Sequence, residues 1–281
     1  MNLISAMDGY LTRRSEGGRA RSDHWPSDIS NCTRQLWWKW KGEPYEGTTD
    51  PTLEWKFALG NAVEDFVAEF LAGAGIPIAR KVKGKKHVEG LEHKISYELD
   101  GIISDEVGRA GLEVKSSFGY GITKIKQRGY PDQSHAEQVT MYMELEELDR
   151  FYVIYVARDS SYRTEFFMEK LEIVEEGSGK AFTIFINGHP TKLNFDTLKA
   201  RLIRLEGFLE RDEMPLRDFQ AAIKYGEIRR RFVKDGRPYQ SHFRCLSCPF
   251  QQKCWSEELE KYKVGENSID VEANREKLAE D

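Results

Sequence analysis

Four cysteines constrain the fold of this chain more than any other feature. Three lie within the ten-residue segment CLSCPFQQKC near the end of the sequence, and the fourth stands near its beginning. Thiols this close together, one of them followed by proline, are poorly explained as core residues, whereas four thiolates can hold zinc or an iron–sulfur cluster. If they share a site, the two ends of the core must meet there. The four are Cys32, Cys245, Cys248 and Cys254.

The alternative use of these cysteines, in disulfides, depends on the redox environment of the protein. The first residues, MNLISAMDGYLTRRSEGG, contain no apolar core followed by a small-residue cleavage site, so we expect no secretory signal. The sequence has no apolar run of about 18 residues, so we expect no membrane span. The expected location is therefore the cytoplasm, where a bound metal or cluster is favoured over disulfides.

The charge distribution points to a polyanionic partner more clearly than the net charge of −5 does. The segment from Ser256 to Asp281 holds nine acids and four bases, a net of −5, so the rest of the chain is neutral overall. Local basic patches attract nucleic acids, although a single basic run is more often a solvated face. The basic runs are RKVKGKK, KIKQR and RRRFVKDGR.

Hydrophobic periodicity predicts a mixed α/β core. The predicted helices cover residues 27–40, 51–75, 134–148 and 195–213, and the predicted strands cover 93–104, 111–117, 150–157 and 163–171. We expect Ser27 or Ser30 to cap the first helix, and Ser134 with Glu137 to form a capping box at the start of the third. The second helix has apolar residues at helical spacing, including Phe66 and Phe70.

The strand in GLEVKSS carries a carboxylate and an ammonium on one face. Side chains alternate along a strand, so Glu113 and Lys115 share that face, and in a hairpin with the preceding strand Asp100 can join them. Two converging carboxylates need a counter-charge, which Mg²⁺ or Mn²⁺ provides, and a nearby lysine can polarise water or neutralise phosphate. These are the parts of a phosphodiester hydrolase. The alternative is a surface hairpin with solvated charges.

A second pair lies on the following helix. Gln138 and Tyr142 are four residues apart, which places them on one helix face. Glutamine can bond to a phosphate or a base, and tyrosine can stack or donate its hydroxyl. The alternative is an exposed glutamine beside a half-buried tyrosine.

Taken in order along the chain, these motifs resemble the RecB-like branch of the PD-(D/E)XK nucleases. The likeness is closest to the small iron–sulfur members, which include CRISPR-associated adaptation exonucleases and their phage-borne relatives. It extends from about Ser27 to Trp255. Its residues are Cys32 in a tryptophan-rich helix, Gly60 to Glu64, Asp100 with Glu113 and Lys115, Gln138 with Tyr142, and the three C-terminal cysteines.

The resemblance implies a [4Fe–4S] cluster on the four cysteines and a Mg²⁺- or Mn²⁺-dependent DNase site. Asp100, Glu113 and the backbone carbonyl of Val114 would bind the metal, and Lys115 would position the attacking water. Gln138 and Tyr142 would hold the DNA strand.

One position departs from the family pattern. Many relatives have a histidine ligand in the early helix where this chain has Glu64. A carboxylate there can still bind a hard cation, and the alternative is an exposed helix residue. We also expect phosphate contacts from basic residues that follow the catalytic strand, unless they form an ordinary solvated loop. These are Lys124, Lys126 and Arg128.

The expected fold is a PD-(D/E)XK restriction-endonuclease-like core, with a mixed central sheet flanked by helices. An iron–sulfur staple would join the N-terminal helix to the C-terminal segment. We expect an N-terminal extension over 1–26, a nuclease domain over 27–255 with its cysteine segment at about 240–255, and an acidic tail over 256–281, as a loose helix or disordered.

The expected activity is that of a DNA exonuclease acting on single-stranded or frayed ends. Its expected partners are DNA, recombination or CRISPR adaptation proteins, and further copies of the chain, in the cytoplasm or in a host cytoplasm if phage-encoded. One alternative is a non-catalytic DNA-end-binding or recombination-partner protein. The other is a zinc-stapled structural protein with incidental hairpin charges.

Overall fold

A computed structural model describes most of the chain, and its contacts divide the protein into two units. The sheet unit comprises Ser22–Ser30 and Thr52–Ile203, and the terminal unit comprises Met1–Arg21, Asn31–Pro51 and Arg204–Asp281. The described residues are 2–15, 20–46, 51–175, 179–224, 227–234, 237–261 and 269–271.

The sheet unit is built on a seven-stranded mixed sheet whose strands lie in chain order. All neighbouring pairs are antiparallel except β3 and β4, which are parallel. The strands are β1 (Ile78–Lys86), β2 (Ile95–Asp105), β3 (Gly108–Ser117), β4 (Arg150–Ala157), β5 (Arg163–Glu175), β6 (Gly179–Ile186) and β7 (His189–Pro190). This mixed central sheet confirms the predicted α/β architecture.

Helices cover both faces of this sheet. The connection from β3 to β4 carries α4 (Gly119–Arg128) and α5 (Gln133–Leu145), whose apolar residues join the main core. On the other face, α3 (Pro51–Gly73) packs Val67 against Leu112 and Val114 of β3. Strand β3 is therefore covered on both faces, and Glu113 is buried under α5 instead of facing solvent.

Phe66 and Phe70 do not belong to the packed face of α3. Their exposed fractions are 52% and 63%, and their rings contact each other with centroids 4.4 Å apart. Their helical spacing predicted burial with Val67. The buried stripe of α3 is narrower than predicted: Val67, with the partly buried Val63 and Leu71, packs on the sheet, and the two phenylalanines do not.

Both predicted helix caps are wrong. Ser27 lies inside a 3-10 turn at Pro26–Asp28, Ser30 donates its hydroxyl to the carboxylate of Glu137, and the N-cap residue of the helix that begins at Thr33 is Cys32. Helix α5 begins at Gln133, and its N-cap residue is Asp132.

The first predicted helix is also shorter than the periodicity indicated. A 3-10 turn at Pro26–Asp28 precedes α2 (Thr33–Trp40). The first amide of α2, on Thr33, donates to Asp218 at 2.7 Å, so a carboxylate distant in sequence satisfies this helix end.

The terminal unit consists of helices, a hairpin and a small sheet with strand order β12-β8-β9. Its core contains Ala221, Ile223, Cys245, Trp255 and Leu259. The elements are α1 (Leu3–Ser15), α2, the end of α6 (Phe195–Glu210), β8 (Ala221–Lys224), β9 (Glu227–Arg229), β10 (Arg231–Lys234), β11 (Arg237–Gln240), α7 (Phe243–Leu246), α8 (Gln251–Cys254), α9 (Ser256–Lys261) and β12 (Ile269–Val271).

The predicted acidic tail is described only in part. It includes α9 and β12, whereas residues 262–268 and 272–281 lie outside the described part of the chain. Across the described residues, no helix combines the length and hydropathy that crossing a lipid bilayer requires.

Candidate active site

The β2–β3 hairpin brings Asp100 next to Glu113. Antiparallel pairing matches Gly101 with Leu112, so Asp100 and Glu113 are the next residues along the two strands. The carboxylate of Asp100 accepts the backbone N–H of Val114 at 2.6 Å. Opposite Asp100 the β1–β2 ladder skips one pair at Lys81, whose φ is +48°. The regular pairing between β1 and β2 is therefore interrupted at Asp100.

Glu113 is buried beneath α5 and is only 2% exposed. One carboxylate oxygen, Oε1, pairs with the ammonium of Lys115 and accepts the side-chain amide of Gln138 at 3.1 Å. The other, Oε2, is buried and has no hydrogen-bond partner among the described residues. The hairpin charges are therefore not simply solvated, which excludes the alternative reading of this strand.

Gln138 and Tyr142 form a buried chain of hydrogen bonds that begins at Glu113. The amide nitrogen of Gln138 donates to the Tyr142 hydroxyl at 2.7 Å, and that hydroxyl donates to the carbonyl oxygen of Glu98 at 3.0 Å. The Gln138 carbonyl oxygen lies 3.4 Å from the Lys115 ammonium. The two side chains are 6% and 3% exposed. In this structure they orient Glu113 and Lys115, and their predicted contact with DNA stays a prediction.

Three carboxylates and one ammonium act on each other electrostatically in this region. Burial and the charge of Glu113 raise the pKa of Asp100 to about 7. Burial also raises the pKa of Glu113, and burial together with the charge of Asp100 raises that of Glu64 on α3. Burial lowers the pKa of Lys115, but the attraction of Glu113 outweighs it and the pKa is raised. The site therefore holds more negative charge than Lys115 neutralises.

The donor set at this site suits a hard divalent cation. Carboxylate oxygens are the ligands that Mg²⁺ and Mn²⁺ prefer, and the buried Oε2 atom of Glu113 lacks a partner. Among the described side chains, Glu64, Asp100 and Glu113 do not all bring an oxygen within 4.8 Å of one another. Mutual repulsion of the three charges opposes closer approach.

The predicted phosphate-binding residues lie on α4 and not on a loop. Lys124, Lys126 and Arg128 are all exposed. Lys126 lies on the side of the helix opposite the other two, because a helix turns about 100° per residue. Arg128 pairs with Asp132 at 2.8 Å. The predicted run is therefore not one continuous basic face.

The cysteine segments belong to the terminal unit. All four cysteines are free, and Cys32 is the N-cap residue of α2. Burial, followed by the charges of the other three thiols, raises the pKa of Cys245 to about 12, so the four lie within electrostatic range of each other. Within the described part of the chain, no three of the sulfur atoms lie within 4.8 Å of one another.

Hydrogen bonds and ring packing join the segment around Cys32 to the segment that holds the three C-terminal cysteines. The Glu46 carboxylate accepts the backbone N–H groups of Gln252 and Lys253 at 2.6 and 2.5 Å. Trp38 of α2 packs against Phe250 with ring centroids 5.3 Å apart. The beginning and end of the terminal unit therefore meet, as shared use of the cysteines requires.

Three exposed aromatic residues near the end of β3 were not among the residues predicted from the sequence. Phe118, Tyr120 and Tyr162 are all exposed, and two cations lie over their rings. The letters FGY directly after the strand were a signal for two of them, but the third comes from the loop after β4.

No protein-family model and no curated protein matches this chain. Among solved structures, that of SSO0001 has a TM-score of 0.44 at 14% identity, covering 75% of this chain and 86% of its own. An alkaline exonuclease (LHK-Exo) from Laribacter hongkongensis has a TM-score of 0.43 at 10% identity, covering 68% and 89%. The same exonuclease in complex with dAMP has a TM-score of 0.42 at 11% identity, covering 73% and 93%. TM-scores below 0.5 do not establish a shared fold.

Proposed function

We propose that this protein is a metal-dependent deoxyribonuclease whose active site is formed by β2, β3, α3 and α5. The observation that carries the proposal is the buried Glu113 carboxylate, which pairs with Lys115 through one oxygen and leaves the other without a partner. A buried charge with an unsatisfied oxygen costs stability, and such groups occur mainly at functional sites. Asp100 beside it supplies a second carboxylate.

The residues that would hold the metal are Asp100, Glu113, the backbone carbonyl of Val114, and Glu64. When bound, Mg²⁺ or Mn²⁺ neutralises charge on the phosphate and makes a bound water more acidic. An all-oxygen donor set favours these hard ions over softer ones.

Lys115 supplies a hydrogen-bond donor at the reacting phosphate. An ammonium has three N–H groups and no lone pair, so it can hold water or stabilise a phosphate oxygen but cannot accept a proton. Its side chain is 25% exposed, so it reaches solvent while its pairing with Glu113 fixes its position. Hydrolysis adds water across one P–O bond and leaves a phosphate monoester and a hydroxyl.

The substrate we propose is DNA, cut from single-stranded or frayed ends. Lys124 on α4, the helix that follows β3, is exposed and would contact phosphates, whereas Lys126 would do so only from the opposite side of the helix. Recombination or CRISPR adaptation proteins, and further copies of this chain, are the proposed protein partners. The proposed location is the cytoplasm, or the cytoplasm of a host cell.

We also propose that the four cysteines hold a [4Fe–4S] cluster with a structural role. A single zinc ion, with Zn–S bonds of about 2.3 Å, draws four thiolates closer than 4.8 Å, whereas a four-iron cluster is larger. The proposal rests on the four cysteines lying in one unit within electrostatic range of each other, and metal analysis of the protein decides between the two groups. The cluster would fasten the C-terminal segment to α2.

The test of the nuclease uses anaerobically purified protein and single-stranded DNA labelled separately at its 5′ and 3′ ends. With Mg²⁺ or Mn²⁺ we expect progressive shortening from one end, and none with Lys115→Ala. The matched control is Lys83→Ala, because Lys83 also pairs with a glutamate but on the exposed strand β1. That variant is expected to cut as the wild type does.

Two outcomes would replace this proposal. Tight binding of DNA ends without cleavage, whatever the metal, would favour the end-binding protein. A colourless anaerobic preparation with one zinc per chain and no iron, also without cleavage, would favour the structural protein.

A further inference from the structure

Three exposed aromatic side chains form a surface at the end of the catalytic strand. Phe118 and Tyr120 directly follow β3 and are 62% and 73% exposed, and Tyr162 is 59% exposed. We call Phe118, Tyr120 and Tyr162 the aromatic cluster. Exposed large aromatic residues in one place usually mark a binding site.

The loop after β4 is fastened against this strand end. The carboxylate of Asp159 accepts the backbone N–H of Gly119 at 2.7 Å. A Cβ atom added at Gly119 would lie 2.7 Å from the Ser160 hydroxyl and 3.6 Å from the Tyr162 ring. Gly119 therefore allows the two segments to approach and brings the Tyr162 ring close to Gly119, the residue between Phe118 and Tyr120.

Two cations accompany the aromatic rings. The Lys124 ammonium lies 4.4 Å from the centre of the Tyr120 ring, and the Arg158 guanidinium lies 5.0 Å from that of Phe118. The buried Nε of Arg158 has no hydrogen-bond partner among the described side chains and backbone. Rings that offer stacking faces, beside cations that attract phosphates, match the chemistry of a single nucleic-acid strand.

The aromatic cluster is close to the carboxylate site along the chain. Phe118 is the third residue after Lys115, which is about 10 Å along an extended strand. Strands β3 and β4 are parallel and pair as far as Ser117 with Ala157, so both following segments start at the same sheet edge. A DNA strand lying on the cluster would therefore pass close to the carboxylate site.

We propose that the aromatic cluster stacks unpaired DNA bases and so selects single-stranded ends for the active site. In a duplex the bases are stacked on one another and their faces are not available. This inference rests on the proposed nuclease function and adds to it the group that is recognised: the base face in addition to the phosphate.

The experiment measures binding by fluorescence anisotropy with full-length protein in EDTA, so that no strand is cut. The labelled probes are an oligo-dT of about 12 nucleotides, the same backbone without bases, and a blunt duplex. The variants are Phe118→Ala with Tyr120→Ala, and Tyr120→Phe. Phe182→Ala is the matched control, because Phe182 is also exposed and lies under Lys170 at 4.9 Å on strand β6.

We expect wild type to bind oligo-dT more tightly than the abasic backbone or the duplex. The double alanine variant should bind oligo-dT at least about fivefold more weakly, with its affinity for the abasic backbone unchanged. Tyr120→Phe keeps the ring and should bind like wild type, as should Phe182→Ala. Equal wild-type affinity for oligo-dT and the abasic backbone would overturn the inference, and so would equal losses on both probes.

The two proposals fail separately. If the wild type cuts DNA but does not distinguish oligo-dT from the abasic strand, the nuclease stands and the stacking surface does not. If no DNA is cut but the double variant still loses its preference for bases, the stacking surface stands and the nuclease does not.

Discussion

Glu113 combines burial with a carboxylate oxygen that has no hydrogen-bond partner in the described structure. An ionised group in this position costs free energy, which Lys115 and the amide of Gln138 offset only through the other oxygen. Excess negative charge of this kind lowers the stability of the folded protein. Two single-residue changes test these statements.

Replacing Asp100 by asparagine should stabilise the protein while abolishing cleavage. Burial and the charge of Glu113 raise the pKa of Asp100 to about 7, so at pH 8 its ionised form destabilises the folded state. Asparagine can still accept the Val114 N–H but carries no charge. In EDTA at pH 8 we expect the free energy of unfolding to rise by at least about 1 kcal/mol.

Differential scanning fluorimetry measures this change, with Asp149→Asn as the control because Asp149 is exposed in the loop before β4. A lower melting temperature for Asp100→Asn would show that the carboxylate stabilises the fold, contrary to the expectation.

Gln138→Ala should reduce the rate of cleavage without weakening DNA binding. Gln138 is 6% exposed and forms hydrogen bonds with Glu113, Lys115 and Tyr142. Its loss should therefore shift Glu113 and Lys115, the groups proposed to act on the substrate. Partners of this kind are worth about 10- to 100-fold in activity. Steady-state kinetics should show kcat lowered and KM little changed.

Gln133→Ala is the matched control for that measurement. Gln133 also donates its amide to a glutamate, Glu137, on the same helix, but at an exposed position. A larger rise in KM than fall in kcat for Gln138→Ala would favour the predicted direct contact with DNA.

At the level of elements, strand β3 depends on one glycine that allows β4 to pack beside it. A Cβ atom at Gly111 would overlap the ring of Phe151, a fully buried residue of the main core. The same ring stacks on Tyr142, with centroids 6.1 Å apart. A shift of Phe151 would therefore move Tyr142, which is hydrogen-bonded to Gln138 next to Glu113.

Gly111→Ala should therefore destabilise the protein by about 1 to 3 kcal/mol, the usual cost of overfilling a packed core. Urea unfolding followed by tryptophan fluorescence measures it. Gly60→Ala is the control: apart from its chain neighbours and the backbone of its own helix, no described atom lies within 4 Å of a Cβ added there, and alanine favours helix α3 by up to about 1 kcal/mol. Equal stability of the two variants would contradict this account.

The bounds of strand β4 could be predicted from the sequence, whereas the helix caps could not. Strand β4 was predicted over 150–157 and is found at Arg150–Ala157, because Phe151, Val153 and Tyr155 alternate strictly with less buried residues. Helix caps were mispredicted because the partners, Glu137 and Asp218, are distant in sequence. Local periodicity contains no information about such contacts.

The candidate site was only partly accessible to sequence reasoning. Spacing alone placed Glu113 with Lys115 on one face and Gln138 with Tyr142 on another. That α5 covers the hairpin, buries Glu113 and links the two pairs through hydrogen bonds depends on tertiary packing. The third ring of the aromatic cluster, Tyr162, comes from a different loop and had no signal near β3.

At the level of the whole molecule, Arg217 holds the C-terminal cysteine segment of the terminal unit. Its guanidinium pairs with Glu258 at 2.5 Å, donates to the carbonyl oxygen of Cys254 at 2.5 Å, and lies 4.0 Å over the ring of Trp255. Cys254 is one of the four proposed cluster ligands.

Arg217→Ala should lower the stability of the terminal unit by about 2 kcal/mol, since it removes hydrogen bonds to a charged group. It should also lower the iron content of anaerobically purified protein. Thermal unfolding and iron analysis measure the two effects. Arg211→Ala is the control, because its pair with Glu213 is exposed and worth less than about 1 kcal/mol. Unchanged iron and stability in Arg217→Ala would contradict the proposed role.

The discontinuous terminal unit also determines when the protein can be completed during synthesis. Thr33 bonds to Asp218, 185 residues later, and Trp38 packs on Phe250. At translation rates of about 5 to 20 residues per second, α2 leaves the ribosome roughly 10 to 40 s before its partners are made. Residues 52–203 of the sheet unit are synthesised within that interval. Cys32 is therefore made long before Cys245, Cys248 and Cys254, and the proposed group shared by the four cysteines could be completed only after those three residues have been synthesised.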